Sequence, residues 1–317
     1  MKVRTMALAV LVMPVLAACA LRAAQTDTVG ATPALDVGEP LRAAHVCRGP
    51  DGDYYLTGTL STPGLGGKPD FDNNRGVRLW RSEELTGWTD LGYAWDMVEV
   101  AKNMRNATTK DFWYVPEGRI SGYPAHAMSA PESHYLKETY WICYSMNGQG
   151  TALLKSKSGK PEGPYDDIGY ITSRGGDASM FEDVDGQVYW LFADAWIAKM
   201  KPDMTGLAEK PRPLLPAASA APGEGRYKFP RGATYLFKKD GRYHLAYADW
   251  TVRDGKPSYD AHFAASDDIY GPYAPLDVRL RDTGPISVFQ NADGVWMASY
   301  SDRRTNRPAV RPIPFDQ

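Results

Sequence analysis

Cysteine is scarce in this chain of 317 residues: only Cys19, Cys47 and Cys143 are present. That number cannot make a disulfide framework even in an oxidising compartment, and Cys47 and Cys143, both inside apolar strand-like runs, are expected as buried free thiols. Neither sign of charge is in excess, with 36 basic against 38 acidic residues and a net charge of -2. Nucleic-acid binding by bulk electrostatics and a charged disordered tail are therefore excluded as readings. The five histidines show no close ligand spacing, and the acidic residues beside Asp-Gly pairs are turn formers first, so neither an essential metal nor a cofactor is expected. The glycines from Gly64 to Gly67 lack the strand, lysine and helix of a phosphate loop. No convincing long amphipathic helix is present, and beyond the first twenty residues no run is long and apolar enough to cross a bilayer.

At the start, Met1-Lys2-Val3-Arg4 is basic and Met6 to Ala18 is apolar. The pattern predicts a signal peptide over residues 1–19, because the apolar run is too short for a mature span. Leu16-Ala17-Ala18-Cys19 resembles the bacterial lipobox, which predicts lipidation of Cys19; ordinary cleavage in the same Ala-rich stretch is the alternative. Ala20, where an Asp would retain the protein at the inner membrane, points to the outer membrane. Residues 20–37 then form a polar tether and residues 38–317 the folded domain. The expectation is an exported monomer, an outer-membrane lipoprotein or a periplasmic protein, that meets a membrane only through its lipid.

A repeat dominates the rest. Asp51-Gly52-Asp53-Tyr54-Tyr55-Leu56, Asp185-Gly186-Gln187-Val188-Tyr189-Trp190, Asp240-Gly241-Arg242-Tyr243-His244-Leu245 and Asp293-Gly294-Val295-Trp296-Met297 each join a turn to an aromatic strand. In Lys137-Glu138-Thr139-Tyr140-Trp141-Ile142 the Asp-Gly is lost and the strand kept. Asp-Gly between apolar runs signals a hairpin, since both residues tolerate the positive φ of a tight primed turn. Further strands follow each hairpin, and two units close with related turns, Pro161-Glu162-Gly163-Pro164-Tyr165 and Ile269-Tyr270-Gly271-Pro272-Tyr273. Five units of about four strands predict an all-β, five-bladed propeller; two stacked β-sandwiches are the alternative, though they do not oblige one turn to recur in every unit. Ser61 to Arg75 and Trp95 to Tyr123 read as insertions that shape a pocket rim.

In a propeller the first strand of each blade lines the axis, so residues equally far before each turn converge at one depth. Counting eight back from the turns reaches Ala43, Asp177, Gly232 (beside Arg231) and Pro285, with Ser129 and Glu132 in the degenerate blade. Pro50 to Thr59, Ser129-Ala130-Pro131-Glu132, Gly176-Asp177-Ala178-Ser179-Met180-Phe181 and Gly232 to Gly241 resemble glycoside hydrolase family 43, from about Leu41 to the end of the chain. The resemblance implies a carbohydrate ligand and inverting cleavage by a base and an acid, with a third carboxylate tuning the acid. It places the tuning residue at Asp177, the base at Ala43, the acid at Arg231 and a usual histidine at Pro285. Alanine accepts no proton, and a guanidinium with a pKa above about 12 donates none. No Asp or Glu lies between Leu41 and Pro50 or between Gly225 and Lys239, so no shift of register supplies either carboxylate.

Two functions follow as expectations. One is a hydrolase of an oligosaccharide or polysaccharide, neutral or anionic, with a substituted set: Asp177, Glu132 and His126 as catalytic residues, and Arg42, His45, Arg174, Arg231, Trp95 and Trp113 as substrate contacts. The cations suit carboxylated or sulfated sugars, and the aromatic rings suit the C–H faces of pyranoses. The other is a non-catalytic glycan-binding lipoprotein. Against both stands a structural role for the same side chains, including an Asp177–Arg231 ion pair and histidines satisfied within the core.

Overall fold

The computed structural model describes residues 34–103, 127–217, 229, 232–253 and 255–315. The leader, Cys19, His126, Trp113 and Arg231 lie outside the described residues. Among those described, no helix is long and apolar enough to cross a membrane.

Among the described residues the strands form five antiparallel sheets in succession, each built outward in chain order, and Thr62–Pro63 pairs with Pro69–Asp70 in a separate two-stranded sheet. Blade one holds Arg42–Arg48, Tyr54–Thr59, Gly76–Ser82 and Thr89–Asp96; blade two holds Met128–Leu136, Thr139–Met146, Gly150–Ser156 and Tyr165–Thr172. Blade three holds Ser179–Glu182, Val188–Phe192, Trp196–Lys199 and Arg212–Pro213; blade four holds Thr234–Lys239, Arg242–Arg253, Lys256–Ser266 and Ala274–Leu280. Blade five has three strands of its own, Ser287–Gln290, Trp296–Ser301 and Pro308–Pro312. The innermost strands contact one another in turn, one to two, two to three, three to four, four to five and five back to one. This is the five-bladed propeller that the repeat predicts, and the sandwich alternative is set aside.

Ring closure uses residues expected in the tether. Ala34 bridges Ala309, the Leu35 amide donates to the Pro308 carbonyl, and Leu35 is buried. Apolar clusters lie between neighbouring blades: Val77, Leu79 and Trp95 pack with Tyr140, Ile142 and Leu154 between blades one and two, and Leu41, Val46 and Leu56 pack with Phe289 and Val310 between blades one and five. Two-layer burial of this kind is what a sheet face requires, and the aromatic strand of each repeat supplies it.

The turns differ from the primed form expected of all of them. Asp240 and Gly241 both take positive φ (51° and 76°), and so do Lys137 and Glu138 (48° and 60°) in the degenerate copy. In blades one, three and five only the glycine does, with Gly52, Gly186 and Gly294 at 92°, 78° and 77°. There the loop is longer: the Gly49 and Asp183 amides donate to the Asp53 and Gln187 carbonyls, and the aspartates accept from the amide two residues on. The blade-two and blade-four closing turns share a cis Gly-Pro bond and a tyrosine hydroxyl, Tyr165 or Tyr273, donated to the carbonyl four residues back.

Candidate functional site

The axial ends of the innermost strands carry a second repeat, one of backbone rather than sequence. Ala43, Ala130 and Asp177 have φ of 51°, 45° and 51°, and Gly232 has 143°. The left-handed region costs an L-residue about 1–2 kcal/mol, least for Asp and Asn, so its recurrence marks one structural position in four blades. Counting back eight finds it at Ala43, Asp177 and Gly232. It is off by one in blade two, where a bulge between Ser129 and Glu132 shifts the register and Ala130 takes the place. In blade five it falls on Gly284 (φ 65°), because proline is locked at negative φ.

A hydroxyl from the preceding blade secures this position. The Ala130 amide donates to Thr59 Oγ1 (2.8 Å) and the Asp177 amide to Ser145 Oγ (2.7 Å); in blade one the donor is the next residue along, the Ala44 amide giving to Ser301 Oγ (3.0 Å). Each acceptor sits at the inner end of a blade's second strand, so the bulged residue of one blade is held by its neighbour and its side chain is aimed from a fixed backbone.

Asp177 carries the carboxylate at this level. Burial pushes its carboxyl above the usual range, and the negative charges of Glu132 and Asp194 add to the effect. Ala43, the matching residue of blade one, offers nothing that can take a proton. Glu132, 15% exposed, lies 2.9 Å from His134 Nε2 and 3.8 Å from His45 Nε2. His45 is buried and removed from the surface, so it forms part of the axial core rather than a substrate contact. Burial, with His134 beside it, holds its pKa well below the usual imidazole value.

Trp95, expected as a substrate contact, is 5% exposed, sits in the cluster between blades one and two, and donates its indole N–H to Met97 Sδ. Tyr55 is buried likewise and donates to Asp51. Arg42 is exposed with its guanidinium 4.6 Å from the Phe71 ring, and Arg174 is exposed in the loop leading to Asp177.

Sequence reasoning offers Trp250 as a ring on which a sugar could stack, but missed Tyr259 and Arg303, which complete an aromatic ledge with it. Blade four's long hairpin pairs Trp250 with Tyr259, whose rings stack at 4.8 Å and 17°, and Arg303 of blade five lies over both at 4.5 and 5.1 Å. Trp250 is 54% exposed. Tyr259 ties the ledge to the axis: a Cβ on Gly232 would stand 3.0 Å from its hydroxyl, and burial together with the Asp177 charge raises its pKa. His134 and Asp194 were missed too. His134 could have been found, since residues two apart on a strand share a face; nothing in the sequence joins Tyr259 to Arg303.

Comparison with known proteins agrees with this architecture. The chain is 27% identical over 263 residues to the β-D-galactofuranosidase xynD of Aspergillus niger, covering 76% of this chain and 69% of that one. Its fold is similar to an endo-arabinase from Bacteroides thetaiotaomicron (TM-score 0.63, 20% identity, 90% of this chain and 98% of that one). It is also similar to an exo-1,5-α-L-arabinanase from a bovine ruminal metagenomic library (TM-score 0.60, 17% identity, 88% and 94%). The model of the glycosyl hydrolases family 43 matches residues 42–312, and the chain belongs to that family.

Proposed function

We propose that the axial site binds an oligosaccharide, anionic for preference, without cleaving it by the family's usual route. The observation that carries this is Ala43, a residue with no proton acceptor on the backbone position where blade three carries Asp177. Inverting hydrolysis needs one carboxylate to activate water and a second to protonate the leaving oxygen. With the first missing, ligand can be held but water is not activated there. Trp250 and Tyr259 supply a ring face for a pyranose, and Arg303, Arg42 and Arg174 supply guanidinium groups for a carboxylate or sulfate.

A second reading, hydrolysis by a substituted set, is favoured by the raised carboxyl of Asp177. Asp177 would donate the proton, with Glu132 and His126 as the remaining proton-transfer groups. One experiment separates the two: calorimetric binding and reducing-end release measured on the same panel of neutral, uronate-bearing and sulfated oligosaccharides. Saturable binding without release, weakened about two- to tenfold by Trp250→Ala, as loss of an aromatic contact predicts, supports the first reading. Release abolished by Asp177→Asn supports the second. Neither binding nor release across the panel refutes both.

A further inference from the structure

Below the axial site, the innermost strands of blades one and two bring together three side chains that can ligate a metal. His45 is 2% and His134 5% exposed, and Glu132 lies between them with its Oε2 2.9 Å from His134 Nε2 and 3.8 Å from His45 Nε2. The imidazole rings are 4.9 Å apart, and one ligand atom from each residue lies within 4.8 Å of the other two.

Hydrogen bonding accounts for only one of the two histidines. His134 is satisfied by Glu132, whereas neither ring nitrogen of His45 has a hydrogen-bond partner among the described residues. A buried polar group left in that state is costly and uncommon in a folded protein. The 3.8 Å gap to Glu132 is too long for a hydrogen bond but suits an edge of a coordination polyhedron. With metal–ligand bonds of about 2.0–2.2 Å, tetrahedral ligand atoms stand about 3.4 Å apart. The 2.9 and 3.8 Å separations from Glu132 bracket that value, and His45 holds two ring nitrogens with no hydrogen-bond partner among the described residues.

We propose that His45, Glu132 and His134 bind one divalent first-row transition ion, Zn²⁺ foremost, which clasps blades one and two beneath the axial site. Two imidazoles and one carboxylate are a ligand set for zinc and its neighbours; calcium, which takes six to eight oxygens, would find one carboxylate here. Three protein ligands leave a fourth position open. The absence of close histidine spacing in the sequence has no bearing on such a site, since its ligands come from two blades. The inference does not depend on the glycan reading.

The test is metal uptake by purified, chelator-stripped protein, followed by equilibrium dialysis, thermal melting and the visible spectrum with Co²⁺. One equivalent of Zn²⁺ is expected, with a higher Tm in Zn²⁺ than in Ca²⁺. The cobalt form should show four- or five-coordinate d–d bands without a sulfur charge-transfer band, which separates this site from the cysteines. His45→Gln and His134→Gln should each weaken uptake by more than the roughly 10- to 100-fold expected of a residue that only supports a ligand, while His244→Gln leaves it intact. Stripped wild-type protein that is folded yet takes up no Zn²⁺ overturns the proposal, even if the variants fail to fold. Uptake undiminished in a folded His45→Gln variant overturns it equally.

Discussion

Returning a carboxylate to blade one with Ala43→Asp probes whether the innermost strands share one electrostatic field. The backbone should accept the change, since Ala43 already holds φ at 51° and Asp tolerates that region better than Ala. The cost lies in charge. Taking a separation of about 7 Å and an effective dielectric of about 20, a new carboxylate and an ionised Asp177 repel by about 2.4 kcal/mol. That repulsion raises the pKa of the pair. A folded-state pKa above the unfolded value leaves stability untouched at low pH and removes it as pH rises through the folded pKa. At about 2 °C per kcal/mol for a domain of this size, the variant should melt about 5 °C below wild type at pH 8 and within a degree or so of it at pH 4. Thermal melts across pH 4–8 measure this directly. A difference between variant and wild type that stays constant with pH would refute the placement of Ala43 and Asp177 at one level of the axis. Adding Arg231→Glu to Ala43→Asp should bring cleavage of simple aryl glycosides, read as chromophore release, if the family's acid position falls there.

Other perturbations test the frame. Glu138→Gly should stabilise by about 1 kcal/mol, because Glu138 is exposed at φ 60° and glycine takes that conformation without strain; chemical denaturation would read it as a higher midpoint. Ser145→Ala should destabilise by about 1 kcal/mol in the same assay, since it leaves the partly buried Asp177 amide without its acceptor. Asp183 joins blades three and four by accepting from Lys238 (2.8 Å) and Tyr243. Burial works to raise its pKa, yet these hydrogen bonds hold it below the usual carboxylate value. Its stabilisation is therefore present above the unfolded pKa and lost as pH falls through the folded one: Asp183→Asn should lower the Tm at pH 7 and converge with wild type near pH 2–3.

The blade count was legible because every blade repeats the same local problem: a hairpin turn, then an aromatic strand that must be buried against its neighbour. Glycine at positive φ and alternating apolar residues solve it locally, so they show in the sequence even where Lys137-Glu138 replaces Asp-Gly. The shared backbone position of Ala43 and Asp177 was legible for the same reason, since a fixed count from each turn reaches both. Bulges broke the count in blade two, and proline's locked φ moved the position to Gly284 in blade five.

Contacts between blades were not legible. Trp95 and Trp250 read alike along the chain, yet one is sealed between two blades and the other lies open on a hairpin; only the packing of one sheet on the next decides which face stays free. The meeting of His45 with Glu132 and His134, and of Tyr259 with Arg303, likewise depends on the packing of one blade against the next, which sets His45 3.8 Å from Glu132 and Arg303 5.1 Å from the Tyr259 ring. By itself the sequence determined where the turns and strands fall, the number of blades and the axial residue in blades one, three and four, all of which follow from local backbone and burial preferences. Which side chains face one another across blades was decided by the tertiary structure alone, because nothing in local spacing records how five sheets close around an axis.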